Sequence, residues 1–228
     1  MIVSHRHRCI FLKTRKTAGT SIEVMLERVV GPDAIVTPVN PPVAGHTPRN
    51  FEPPAGRLVR RRLARTERGE RDLRRGLWYF NHMSASLMRQ RLGAAVFDGY
   101  FKFCFERDPW DKTLSWYFYR TRDVAERPPF AEWLRTGDLP LDWDRYCIDG
   151  KPAMDFVGRF EHLERDLADV LARVGISSTA TLSDEKGGVR PAATSSTSMY
   201  DDTTIAIVAE AFRREIAAYG YSPPVLGR

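Results

Sequence analysis

The stretch that most limits how this chain can fold is Cys9-Ile-Phe-Leu-Lys-Thr-Arg-Lys-Thr-Ala-Gly-Thr-Ser-Ile22. A short apolar run, Cys9 to Leu12, opens into a turn rich in Lys, Thr, Gly and Ser. Apolar residues then recur at Ile22, Met25, Leu26 and Val29, the spacing of one helix face. A brief, wholly apolar run suits a strand buried on both sides of a parallel sheet. The pattern therefore predicts strand, turn, helix, with the turn's backbone N–H groups and the positive end of the helix aimed at one point. Such a junction favours an anion. Gly19 would let the backbone approach it, Thr17, Thr20 and Ser21 would offer hydroxyls, and Lys16 a full positive charge.

The order of residues narrows the kind of anion. A nucleoside-triphosphate P-loop places its glycines before the lysine. Here Lys16 precedes Gly19, and no glycine occurs between Met1 and Ala18. A second junction lies further along. Tyr100 to Phe105 reads as another buried strand, followed by Glu106-Arg107-Asp108-Pro109-Trp110-Asp111 and a helical pattern through Tyr117. Asp108 suits an N-cap, with Pro109 at the first helical position. Arg107 then falls at the strand's carboxyl end, and Ser115 about 9–10 Å along the helix at ~1.5 Å per residue. A long guanidinium arm and a helix hydroxyl could thus converge on one phosphate. Seen singly, each is equally a capping arginine or a surface serine.

Lys16-Thr-Ala-Gly-Thr-Ser21 resembles the 5′-phosphosulfate loop of sulfotransferases that use 3′-phosphoadenosine 5′-phosphosulfate (PAPS), and Arg107-x7-Ser115 resembles their 3′-phosphate motif. Phe156 to Asp166 and the terminal block from Tyr200 to Tyr221 look like the carbohydrate-sulfotransferase branch, so the match runs from about Ile10 to Tyr221. Arg15 stands where that family often has proline. The resemblance implies an α/β fold of P-loop-like, three-layer form: a central, mainly parallel sheet flanked by helices. It also implies an enzyme that moves a sulfuryl group from PAPS to a hydroxyl of a sugar or glycoconjugate. The donor would be held by Arg15, Lys16, Thr17, Ala18, Gly19, Thr20, Ser21, Arg107 and Ser115. Lys16 would stabilise the leaving group, and the scheme requires no metal. The loop from Ser177 to Ser198 corresponds to one that closes over the nucleotide, which makes Lys186 and Arg190 candidate donor contacts.

Sulfuryl transfer also needs a base, and histidine suits neutral pH. Of the five histidines, His5 and His7 are expected in a frayed N-terminus, His46 in solvent and His162 at a helix start. His82 follows the apolar run Leu77-Trp-Tyr-Phe80, read as a strand, and precedes a helix starting near Ser84. It also resembles the family's histidine before this helix, which serves as base in some carbohydrate sulfotransferases, and is the candidate here.

Bulk properties set the outer limits. The 228 residues, 43% hydrophobic, predict one domain spanning 1–228, with a Pro/Arg-rich insertion at about 38–76. Nine arginines between Arg57 and Arg75 dominate the net charge of +6. They are read as a solvated helix face, a contact for polyanionic acceptors, or a nucleic-acid surface, the last without an accompanying motif. No run approaches the roughly eighteen apolar residues of a membrane span, and no secretory leader is evident, so a cytoplasmic protein is expected. Cys9, Cys104 and Cys147 have neither metal nor disulfide spacing. Two rival functions stay open at this level: a nucleotide kinase of related architecture, and a non-catalytic basic module binding polyanion or nucleic acid.

Overall fold

The computed structural model describes residues 1–53, 77–177, 182 and 196–226. The Arg57–Arg75 stretch, Lys186 and Arg190 lie outside the described residues. Strands β1 (Ile2–Ser4), β2 (Cys9–Phe11), β3 (Ile35–Val36), β4 (Phe101–Glu106) and β7 (Phe156–Arg159) form one sheet in the order β3-β1-β2-β4-β7. β2, β4 and β7 run parallel, while β1 is antiparallel to both its neighbours. A separate two-stranded ribbon pairs β5 (Cys147–Ile148) with β6 (Lys151–Pro152).

Alternation along the strands explains the layers. Val3, Ile10, Leu12 and Cys104 point to one face, where α2 (Ala85–Leu92), α3 (Ala94–Gly99) and α6 (Trp143–Tyr146) add Met88, Phe97 and Tyr146. Ile2, Phe11, Phe103 and Phe105 point to the other, covered by α1 (Gly19–Glu27) and α7 (Leu163–Arg173) through Ile22, Met25, Leu167 and Val170. The result is the expected three-layer α/β arrangement. A third cluster joins α4 (Pro109–Arg120), α5 (Phe130–Leu134), α8 (Ser196–Met199), α9 (Asp202–Ala211) and α10 (Arg213–Tyr219), with Trp110, Leu114, Tyr200 and Phe212 at its centre. Gly158 is required where β7 pairs with β4, because a Cβ there would sit 2.4 Å from the Phe105 ring.

Three local readings change. The N-terminus is not frayed: Met1 to Ser4 are buried, and β1 lies inside the sheet. His5 and His7 occupy the turn to β2, with His5 Nδ1 2.9 Å from the Tyr100 hydroxyl. The run Leu77–Phe80 is not a strand; the Trp78 and Tyr79 amides both donate to Phe51 O, leaving no ladder for a sheet neighbour. His46 is half-buried rather than free in solvent. Residues 38–53, the described part of the expected insertion, are fastened to the domain. Val36 bridges Arg49, whose guanidinium donates to Glu27 Oε1 at 3.1 Å and Gly31 O at 2.9 Å.

Candidate functional site

Both predicted junctions form and stand side by side. Register between β2 and β4 pairs Phe11 with Phe103, and the Leu12 amide continues it to Phe103 O at 2.9 Å. The chain leaving β2 stays beside the carboxyl end of β4, because Thr14 Oγ1 donates to Phe105 O at 2.5 Å and lies 2.9 Å from Thr17 Oγ1. Lys16 and Ala18 then adopt left-handed φ values of 60° and 56°. Such alternation turns successive N–H groups to one side, the geometry of an anion-binding nest. Helix α1 starts with Ala18 as its N-cap, which has no side-chain cap, and the first helical bond runs from Ile22 N to Ala18 O. The amides ahead of Ile22 therefore precede the ladder.

Gly19 is dictated by what lies beneath it. The Lys13 side chain is buried, pairs with Glu23 and donates to Thr20 Oγ1 at 3.1 Å. A Cβ on Gly19 would lie 2.6 Å from Lys13 Cγ. Lys13 is thus a structural pillar of the loop, and Lys16 is its half-exposed lysine, with Nζ 4.6 Å from the centre of the Tyr119 ring.

At the second junction Asp108 caps α4 as expected, accepting from Asp111 N at 2.9 Å, with Pro109 at the first position. Arg107 is anchored on three sides. Its Nε donates to Asp111 Oδ2 at 2.7 Å, its Nη2 lies 2.5 Å from the same oxygen, and its Nη1 donates to Lys16 O at 2.9 Å. The guanidinium also stacks 3.9 Å above the Phe160 ring. Five N–H donors belong to a guanidinium, so these partners leave one on each terminal nitrogen for a ligand. Ser115 is half-exposed two turns along the same helix. Beside this clamp lies an open cleft of ≈ 620 Å³ lined by Ala18, Ser21, Phe160, His162 and Arg165, among others.

His82 sits in a turn at φ 60°, just before α2, which Ser84 caps through Leu87 N. Its Nδ1 lies 3.0 Å from Lys13 O. A carbonyl only accepts, so Nδ1 carries the hydrogen and Nε2 keeps the lone pair. Burial, reinforced by Lys13, pulls the imidazole pKa well below its usual value, against the opposing pull of Asp142.

A buried charge cluster underlies the site and is invisible in the motifs. Asp142 accepts from Arg15 N at 2.7 Å and Arg15 Nε at 2.9 Å, and its carboxylate lies 3.1 Å from Lys112 Nζ and 2.8 Å from Arg145 Nε. Arg15, grouped by resemblance with the donor contacts, is therefore held by Asp142. Burial alone would raise the Asp142 carboxyl, but Lys112, Arg15 and Arg145 hold it well below the ordinary carboxylate range. Glu106 shares Lys112 at 2.9 Å and is pushed up to about 7 by burial, which Lys112 offsets only in part. Asp142 lies in Leu139-Pro-Leu-Asp-Trp-Asp144, a string with no local signature. Only the tertiary fold brings it under the loop.

A mainly parallel sheet with two cation-bearing loops at neighbouring strand ends defines an α/β protein built to hold an anion. The chain belongs to the sulfotransferase family, whose model matches residues 1–222. Over 100 residues, 41% of this chain and 83% of the other, it is 37% identical to an uncharacterized protein of Archaeoglobus fulgidus. The crystal structure of a sulfotransferase from Alicyclobacillus acidocaldarius aligns with a TM-score of 0.43 at 20% identity, covering 93% of this chain and 95% of that one. Membership makes the protein an enzyme of sulfuryl transfer and sets aside the kinase and non-catalytic alternatives. Among the described residues, no helix is long and apolar enough to cross a membrane, and no His, Cys, Asp or Glu group is arranged to hold a metal ion.

Proposed function

We propose that the protein transfers the sulfuryl group of PAPS to a hydroxyl of a carbohydrate or glycoconjugate acceptor. The observation that carries this reading is the bond from Arg107 Nη1 to Lys16 O, which locks the two phosphate-type loops into one clamp. A donor bearing phosphate at both its 5′ and 3′ ends matches such a clamp, whereas a single anion would need only one of the loops. The residues present fit that donor. Lys16, Thr17, Ala18, Gly19, Thr20 and Ser21 would hold its 5′ end, and Arg107 with Ser115 its 3′-phosphate. The cleft beside Ala18 and Phe160 offers room for the nucleoside.

PAPS supplies an activated sulfuryl group on a phosphate leaving group. Lys16 meets the charge that grows on that phosphate oxygen, a role in which fixed cations act most strongly away from water. His82 takes the acceptor's hydroxyl proton at Nε2, for which its lowered pKa keeps it neutral at physiological pH. The carbohydrate acceptor rests on the likeness of Phe156–Asp166 and Tyr200–Tyr221 to that branch. A cytoplasmic setting belongs to the same reading, supported by three cysteines that are all buried and free.

Two substitutions test the assignment. Lys16→Ala should abolish transfer of radiolabelled sulfate from PAPS while the protein stays folded; undiminished turnover would sink it. His82→Ala should leave affinity for 3′-phosphoadenosine 5′-phosphate (PAP) unchanged and lower turnover by roughly 10²–10⁴. Equal losses in PAP affinity and rate would make His82 structural. Labelling of a glycan panel, set against phenols and simple alcohols, tests the acceptor class.

A further inference from the structure

We propose that Asp142 is the positioning residue that ties both reacting ends of the site, the Lys16 loop and His82, to one buried carboxylate. The inference rests on the roles given above to Lys16 and His82.

Asp142 has no solvent exposure. A carboxylate offers about four lone-pair positions. Here four groups surround it: the Arg15 amide, the Arg15 Nε, Lys112 Nζ and Arg145 Nε. Fully buried beneath these cations, it meets no substrate, so its influence must pass through these partners. Two of them lead directly to the reacting groups.

The first path runs through the backbone. Arg15 immediately precedes Lys16, whose left-handed φ of 60° costs energy for any residue but glycine. Asp142 grips the chain at Arg15 N, and Arg107 grips it one residue later at Lys16 O. A strained residue pinned on both sides cannot relax, so the lysine is delivered from a fixed backbone. The second path runs through Arg145, which lies against Asp142 and donates through Nη1 to His82 O at 2.5 Å. The imidazole is held from its other end by Lys13 O. His82 is likewise at positive φ in a turn, with no strand to set its position. Displacement of a reacting group by about 1 Å can cost 10²-fold in rate, so both tethers bear on turnover.

The experiment is a set of variants assayed for PAPS turnover and PAP affinity. Arg145→Met cuts the His82 path and leaves the Asp142–Arg15 contacts in place. It should lower kcat roughly tenfold with PAP affinity unchanged, and it should add no further loss in the His82→Ala background, since the tethered group is then gone. A purely structural arginine would multiply its loss in both backgrounds, which overturns the His82 path. Asp142→Asn should weaken PAP binding and lower kcat together, and should erase the effect of adding Arg145→Met. A folded Asp142→Asn protein with unchanged PAP affinity and kcat would refute the proposal. If that variant fails to fold, the Arg145/His82 cycle decides. Should His82→Ala itself leave turnover intact, the base assignment fails instead, and PAP affinity of Asp142→Asn still judges the hold on the Lys16 loop.

Discussion

Replacing Gly19 with alanine probes how the anion loop is built. Gly19 is the first residue of α1, and its φ is not in the left-handed region, so backbone preference alone would welcome alanine. In an exposed helix interior the gain would be up to about 1 kcal/mol, and less at a first position. Against this stands the new Cβ, which would lie 2.6 Å from Lys13 Cγ, 3.1 Å from Cε and 3.3 Å from Cδ. The lysine stem cannot swing aside, because its buried ammonium is held by Glu23 and by Thr20 at 3.1 Å. Overpacking of this kind costs about 1–3 kcal/mol. The clash wins, with an expected net loss of about 1–2 kcal/mol, or about 2–8 °C in Tm for a chain of this size. PAP affinity should fall as well, since the loop must shift to accept the methyl group. Urea unfolding and PAP titration measure both quantities. The decisive comparison is the Lys13→Ala background, where Cγ is absent and the Gly19→Ala penalty should disappear. Equal penalties in both backgrounds, or a Gly19→Ala protein as stable as the parent, would refute the reasoning.

Two pH-linked outcomes follow from buried groups. As the proposed base, His82 would act in its neutral form, and burial with Lys13, Arg145 and the N-terminal ammonium lowers its pKa, opposed by Asp142. The acid limb of kcat/KM should therefore lie below about 6.5, the free-imidazole value, with rate rising through it to a plateau; a limb above that value contradicts the assignment. Glu106 has a folded pKa raised from 4.5 to about 7, chiefly by burial, so the folded state keeps a proton that the unfolded chain releases between those values. Its contribution to stability should decline as pH rises through that window, by at most about 3 kcal/mol. Glu106→Gln removes the decline, so its stability relative to wild type should improve from pH 5 to pH 8 in urea unfolding; an equal difference at both pH values would show that Glu106 does not titrate there.

Much of the candidate site was legible in the linear chain, for a local reason. An anion loop at a strand-to-helix junction uses consecutive residues, and Lys16 to Ser21 declare it within six positions. The Asp108 cap and Pro109 likewise announce α4, which sets Arg107 at the strand end and Ser115 on the helix. Strand β1 escaped the reading because three residues carry too little periodicity to separate a buried strand from a loose terminus. The run Leu77–Phe80 misled in the opposite direction: its apolar residues serve the core, yet its amides are taken by Phe51 O.

The sequence by itself determined the family of the chain, the strand-turn-helix units and the cations proposed to hold the donor, because those features depend on neighbours within a few residues. Tertiary structure decided the rest. Pairing of β2 with β4 is what brings Arg107 to Lys16 O across a separation of 91 residues. Asp142 reaches Arg15 across 127 residues, and Arg145 reaches His82 across 63. Contacts of that range leave no spacing rule in the chain, since the sheet and its covering helices set them only after the core has packed. The same packing separates the two lysines of the loop: Lys13 is buried as a pillar against Glu23, and Lys16 is left at the surface of the clamp.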